Sequence, residues 1–138
     1  MAEWTPPHNR PPDSAGGCLP LRLLRFVRGD GFVRDWQELR LTDDDLAALE
    51  SLIMAAPRQA PIVPGTGGLR KLRFVPPRWK IGKSGALRVC YAYFEGFGLV
   101  YIFSAYAKTA KRNLSSDEKV HIGRLIRETE SYLRKGAL

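Results

Sequence analysis

The sequence predicts an α/β fold whose elements run strand–helix–helix–strand–strand–strand–helix. Three observations predict it. Apolar residues alternate with a period of two over 69–75 and 87–94, and they run almost unbroken over 99–105, as a strand buried on both faces should. Phe32, Trp36 and Leu39 recur at helical spacing, and so do Val120, Ile122, Leu125, Ile126, Tyr132 and Leu133. Glycine, proline and capping residues fall between these segments.

Residues 1–19 hold Pro6, Pro7, Pro11, Pro12, Gly16 and Gly17 with few apolar side chains. They are expected to form a flexible tail ahead of a single domain over 20–138. Residues 21–27 alternate in part and predict the first strand. Gly29, Asp30 and Gly31 break it, and a short helix through Phe32 and Trp36 follows. Thr42 ahead of Asp43, Asp44 and Asp45 is a capping signal: a hydroxyl for the first free N–H groups and carboxylates against the helix dipole. The helix behind it is expected to bury Leu46, Leu49, Leu52 and Ile53, and Pro57 stops it. Three adjacent carboxylates point in different directions on a helix, so capping accounts for them better than a metal cluster does.

Residues 61–68 form a turn-rich loop. In the next strand Leu72 and Phe74 share a face with Arg70, while Lys71 and Arg73 share the opposite face. Pro76 and Pro77 end it, and 78–85 is a basic loop. In the third strand Leu87, Val89, Tyr91 and Tyr93 face one way, and Arg88, Cys90, Ala92 and Phe94 the other. A turn at Gly96, Phe97 and Gly98 leads to the strand expected at the sheet's centre. Ser115 with Glu118 three residues on makes a capping box for the last helix. His121 falls off its apolar stripe and has no partner at ligand spacing, so no metal or cofactor is expected.

A chain of 138 residues is large enough to form one core without disulfides or metals. The two cysteines, Cys18 and Cys90, make no framework and are expected to be reduced thiols. No apolar run reaches the ~20 residues of a membrane span, and the N-terminus lacks the order of a signal peptide, so a cytoplasmic protein is expected. Charge is unevenly placed. Residues 61–113 carry ten Lys or Arg and a single acid, Glu95, a net +9 against +8 for the whole chain. A basic excess confined to one strand-rich region points to a phosphate-binding surface, with nucleic acid the leading polyanion and an acidic protein second.

Two nucleotide-loop patterns fail. Gly82-Lys83-Ser84 has Pro77 where the phosphate loop needs its first glycine, and a strand follows where a helix should. Gly65 to Gly68 has Arg70 at the third glycine of a dinucleotide fingerprint. No Ser/His/Asp set or paired carboxylates stand at usable spacing, so cations would carry any catalysis.

PGTGGLRKLRF, then GKSG-x-x-RV-x-Y-x-YF, then an apolar strand ending in AYAK-x-x-K-x-NLS, resembles the RelE/HigB superfamily of toxins from bacterial type II toxin–antitoxin modules. The resemblance spans roughly 21–133 and is strongest over 64–113. It implies a small, mainly antiparallel sheet of about four strands, with two helices before it on one face and a helix at the C-terminus. It also implies a ribosome-dependent endoribonuclease that cuts mRNA by attack of a 2′-hydroxyl on the adjacent phosphate. The partners it implies are an antitoxin, often a helix-turn-helix protein, together with the ribosome and mRNA.

Carried over by position, the resemblance makes Lys71, Arg73, Arg88 and Lys108 the catalytic set. Lys71 or Arg73 would activate the hydroxyl, Arg88 would hold the phosphate, and Lys108 would serve the leaving oxygen. Arg70, Lys80, Lys83, Lys111 and Arg112 would bind RNA or ribosome, and Tyr106 would stack on a base. Some members carry a tyrosine or histidine after the last strand, where Asn113 and Leu114 offer neither. Either Tyr106 substitutes, or a lysine is the acid. Fixed cations suit this chemistry because the phosphorane gains negative charge on its equatorial oxygens, and crowded cations lower the pKa of a lysine among them. The alternative is a non-catalytic relative that only binds RNA or its antitoxin.

Overall fold

The computed structural model describes residues 24–79, 85–107 and 114–136. The expected tail, Cys18, and the site candidates Lys80, Lys83, Lys108, Lys111 and Arg112 lie outside them.

Four strands form one mixed sheet in the order β1-β4-β3-β2: β1 Arg25–Arg28, β2 Leu69–Phe74, β3 Leu87–Phe94 and β4 Leu99–Ala107. β2–β3 and β3–β4 are antiparallel, and β1 joins β4 in parallel. The nearly all-apolar strand is indeed internal, with Leu99, Val100 and Ile102 fully buried. A 3₁₀ turn at Glu95–Phe97 closes the β3–β4 hairpin, and Gly98 follows it at φ 59°, a left-handed conformation that glycine adopts without strain.

Helices cover both faces. Helix α1 (Asp30–Glu38) and helix α2 (Asp43–Ala55) pack Phe32, Trp36, Leu49 and Ile53 on Phe74, Leu87, Val89, Tyr91 and Val100. Helix α3 (Ser116–Arg134) packs Ile126 and Leu133 on Leu69, Ala92, Phe94 and Leu99 of the other face. Both expected capping boxes are present, Thr42 with Asp45 and Ser115 with Glu118. Helix α1 starts at Asp30 with a single residue between it and β1, because Gly29 itself serves as the N-cap.

Two burial expectations fail. Leu52 is 45% exposed, since Leu46, Leu49 and Ile53 already fill the contact stripe of α2. On α3, Val120 and Tyr132 stay more than half exposed and Leu125 is exposed too, because one sheet face accepts only the narrow stripe of Ile126 and Leu133, flanked by half-buried Ile122.

The β1 ladder ends at Arg28 opposite Ile102, so the rest of β4 has no strand on that side. Helix α1 takes its place. Gly29 N–H donates to Ile102 O (2.9 Å), and the Ala105 N–H donates to Asp35 Oδ2 (3.0 Å). A sheet edge that would otherwise invite pairing is thereby closed. No helix among the described residues is long and apolar enough to cross a membrane.

Candidate nucleic-acid interface

The strand registers gather the predicted cations. Arg73 stands directly opposite Arg88, and Arg88 directly opposite Tyr106. Directly opposed residues project from the same face, and neighbouring strands lie about 4.8 Å apart, so these three form a row across β2, β3 and β4. Lys71 lies two residues from Arg73 on that face, opposite Cys90. This is the face that α3 covers, but α3 sits over the Leu69, Ala92 and Phe94 end. The row lies at the other end, where the chain enters β3 and leaves β4.

Arg73 is exposed; Lys71, Arg88 and Tyr106 are half-buried. Among the described residues neither Lys71 nor Arg88 has a carboxylate partner; the ion pairs Arg28–Glu50, Arg58–Glu95, Arg78–Asp45 and Arg134–Glu130 all lie elsewhere. Arg88 Nη1 donates to the Ala86 carbonyl, at 3.3 Å. Like charges opposed across two strands are unfavourable, and an anion between them removes the cost. Burial pushes the Tyr106 phenol up to about 12, and the adjacent, hydrogen-bonded Cys90 side chain adds to this against the pull of Arg88. Tyr106 therefore keeps its proton at neutral pH.

No family model matches the chain. Among solved structures, one to which it is similar is a mutant of the E. coli toxin RelE in the free state, at 15% identity, covering 75% of this chain and 96% of that one, with a TM-score of 0.42. The architecture rests on the observed strand order, β1-β4-β3-β2.

Arg70 stands apart from the row. It projects from the α2 face, where its Nη1 donates to the carbonyls of Arg58 and Ala60, both at 2.8 Å. Beside it the Tyr91 hydroxyl donates to Pro57 O at 2.8 Å, so together they fasten the chain that leaves α2. Arg78 is also engaged. Its guanidinium donates to Asp45 Oδ2 (2.8 Å) and to Arg40 O (3.2 Å), tying the start of the basic loop to the N-terminus of α2. Burial pushes the Asp45 carboxyl up, but hydrogen bonds from Thr42 and Arg78, with the Arg78 charge, outweigh it and hold the group below its usual range.

Sequence reasoning missed one participant and one feature. Lys119 of α3 comes beside Lys71 at a shared cleft. The other is a β-bulge. The register shifts between Cys90 and Tyr91, where β4 carries one extra residue. Counted back from the hairpin without it, Ala105 would oppose Arg88 and Tyr106 would face α1. The bulge turns Tyr106 onto the cation face. Strand alternation gives no signal for it, since 99–105 is apolar at nearly every position.

Proposed function

We propose that this chain is an endoribonuclease that cleaves mRNA on the ribosome, the toxin of a type II toxin–antitoxin module related to RelE and HigB. The observation that carries the reading is the row of Arg73, Arg88 and Tyr106 on one sheet face, with Lys71 beside it. The sequence motifs that resemble the family supply the reaction class. In that reaction the 2′-oxygen attacks the adjacent phosphorus, and the bond to the 5′-oxygen of the next nucleotide breaks. The products are a 2′,3′-cyclic phosphate and a 5′-hydroxyl.

Arg73 and Arg88 neutralise the charge that grows on the equatorial oxygens, which they stabilise more in the transition state than in the ground state. Lys71 activates the 2′-hydroxyl as a cation: its ammonium donates to the 2′-oxygen and stabilises the developing alkoxide, while the proton leaves to water. Tyr106, whose phenol is pushed up to about 12, enters as a proton donor toward the leaving oxygen and not as a base. Lys108, directly after the last residue of β4, shares that task. The ribosome supplies in-line geometry. The site of action is the cytoplasm, and an antitoxin that covers the cation face keeps the enzyme silent.

Mapping mRNA 5′ ends after induced expression tests the reading. New ends bearing 5′-hydroxyls, lost when translation is blocked, are expected. Growth arrest without new ends, or no arrest at all, would leave only a binding module.

A further inference from the structure

Beside the cation face lies a cleft of about 320 Å³ between residues 61–64 and the start of α3, with apolar walls from Val63, Pro64 and Leu114 and two basic residues, Lys71 and Lys119, in its lining. Its floor is fixed. Thr66, fully buried, donates its hydroxyl to Val63 O (2.6 Å) and accepts from Leu69 N–H (3.0 Å). Residues 61–63 run antiparallel to β2, with Lys71 N–H bonded to Pro61 O and Val63 N–H to Leu69 O. The bridged residue between them, Ile62, therefore turns its own N–H and C=O away from β2, and these have no partner among the described residues. A Cβ on Gly65 would lie 3.4 Å from Lys119 Cδ, so the stem of that lysine runs past the loop.

We propose that this cleft receives the nucleobase of the nucleotide next to the scissile phosphate. The inference rests on the proposed ribonuclease reading and names a base subsite for it. Lys71 belongs to both places, and Arg73 is two residues along β2, roughly 6.7 Å away, a step of about one nucleotide. Apolar walls with a few placed polar groups suit a flat heterocycle, and one backbone donor with one acceptor suits a base edge. Lys71 suits the scissile phosphate it shares with Arg73, and the stem of Lys119 adds an apolar wall for the base. A peptide strand fits worse, since added strands need a row of backbone partners and Pro61 and Pro64 interrupt it.

The test titrates the full-length protein with adenosine or uridine 5′-monophosphate and with inorganic phosphate, following backbone amide shifts and heats of binding. Nucleotides are expected to bind at least fivefold more tightly than phosphate, to shift the amides of Ile62, Val63 and Leu114, and to lose that advantage in Lys119→Ala while phosphate affinity holds. Equal affinities, with shifts confined to Arg73 and Arg88, would overturn the base subsite and leave the ribonuclease reading standing. No response at Arg73 or Arg88 to either ligand would count against both. A response only to an acidic, leucine-rich peptide would give the cleft to a protein partner and overturn the proposal.

Discussion

Arg88 is the residue on which the site turns, because it is the middle member of the row, half-buried and without a carboxylate among the described residues. Removing a fixed donor of this kind costs roughly 100-fold or more in rate, about 3 kcal/mol. Arg88→Ala is therefore expected to slow cleavage of ribosome-bound mRNA by about that factor with an unchanged unfolding midpoint, and Arg88→Lys to recover only part of it, since an ammonium lacks the planar fork. Tyr106 makes a different prediction. Unfolded, its phenol ionises near its ordinary value of 10.0; folded, at about 12. The folded state therefore holds more protons in that window, and stability is full below pH 10 and falls as pH climbs toward 12. Tyr91, also pushed up by burial, acts with the same sign. Urea midpoints at pH 9 and pH 11.5 should drop for the native chain, and less steeply for Tyr106→Phe; an equal drop in both would remove Tyr106 from this account.

At the level of elements, the site depends on how strand ends and helix caps are fastened. The Asp45 carboxylate, 2% exposed, serves the Thr42 capping box and the Arg78 guanidinium at once. Asp45→Ala removes both, and a loss of about 2–3 kcal/mol is expected in denaturant unfolding. Because the folded carboxyl sits below 3.8, its contribution is present above that pH and lost as pH falls through the folded value. Gly29 is equally constrained: an added Cβ would lie 2.9 Å from the Tyr101 hydroxyl and 3.1 Å from Ile102 O, so Gly29→Ala should destabilise by about 1–3 kcal/mol. The caps and the two faces of residues 69–74 were legible in the sequence, because capping chemistry and a period of two are local. The bulge that turns Tyr106 was not, because nothing in an all-apolar run marks an extra residue. Nor was the exposure of Leu52 and Leu125, since the width of a buried stripe is set by the surface that receives it. The Cys90–Tyr106 contact likewise needs the true register.

Across the whole molecule, charge and topology agree. Residues 61–113 carry the entire basic excess, and the three strands β2, β3 and β4 of that stretch place part of it on one face. For single-stranded RNA each phosphate neutralised contributes a slope of about −0.7 to the dependence of log affinity on log salt. Lys71→Ala, Arg73→Ala and Arg88→Ala together should flatten that slope by about 2, whereas Arg70→Ala, whose guanidinium is spent on two carbonyls of the opposite face, should lower stability and leave the slope alone. The central claim is that Lys71, Arg73 and Arg88 jointly hold the scissile phosphate. The most direct test is the single-turnover rate at which the triple alanine variant, checked for a native unfolding transition, cuts mRNA on a programmed ribosome. A loss of roughly 1,000-fold or more is expected; a folded variant that cuts at the rate of the native chain would contradict the account.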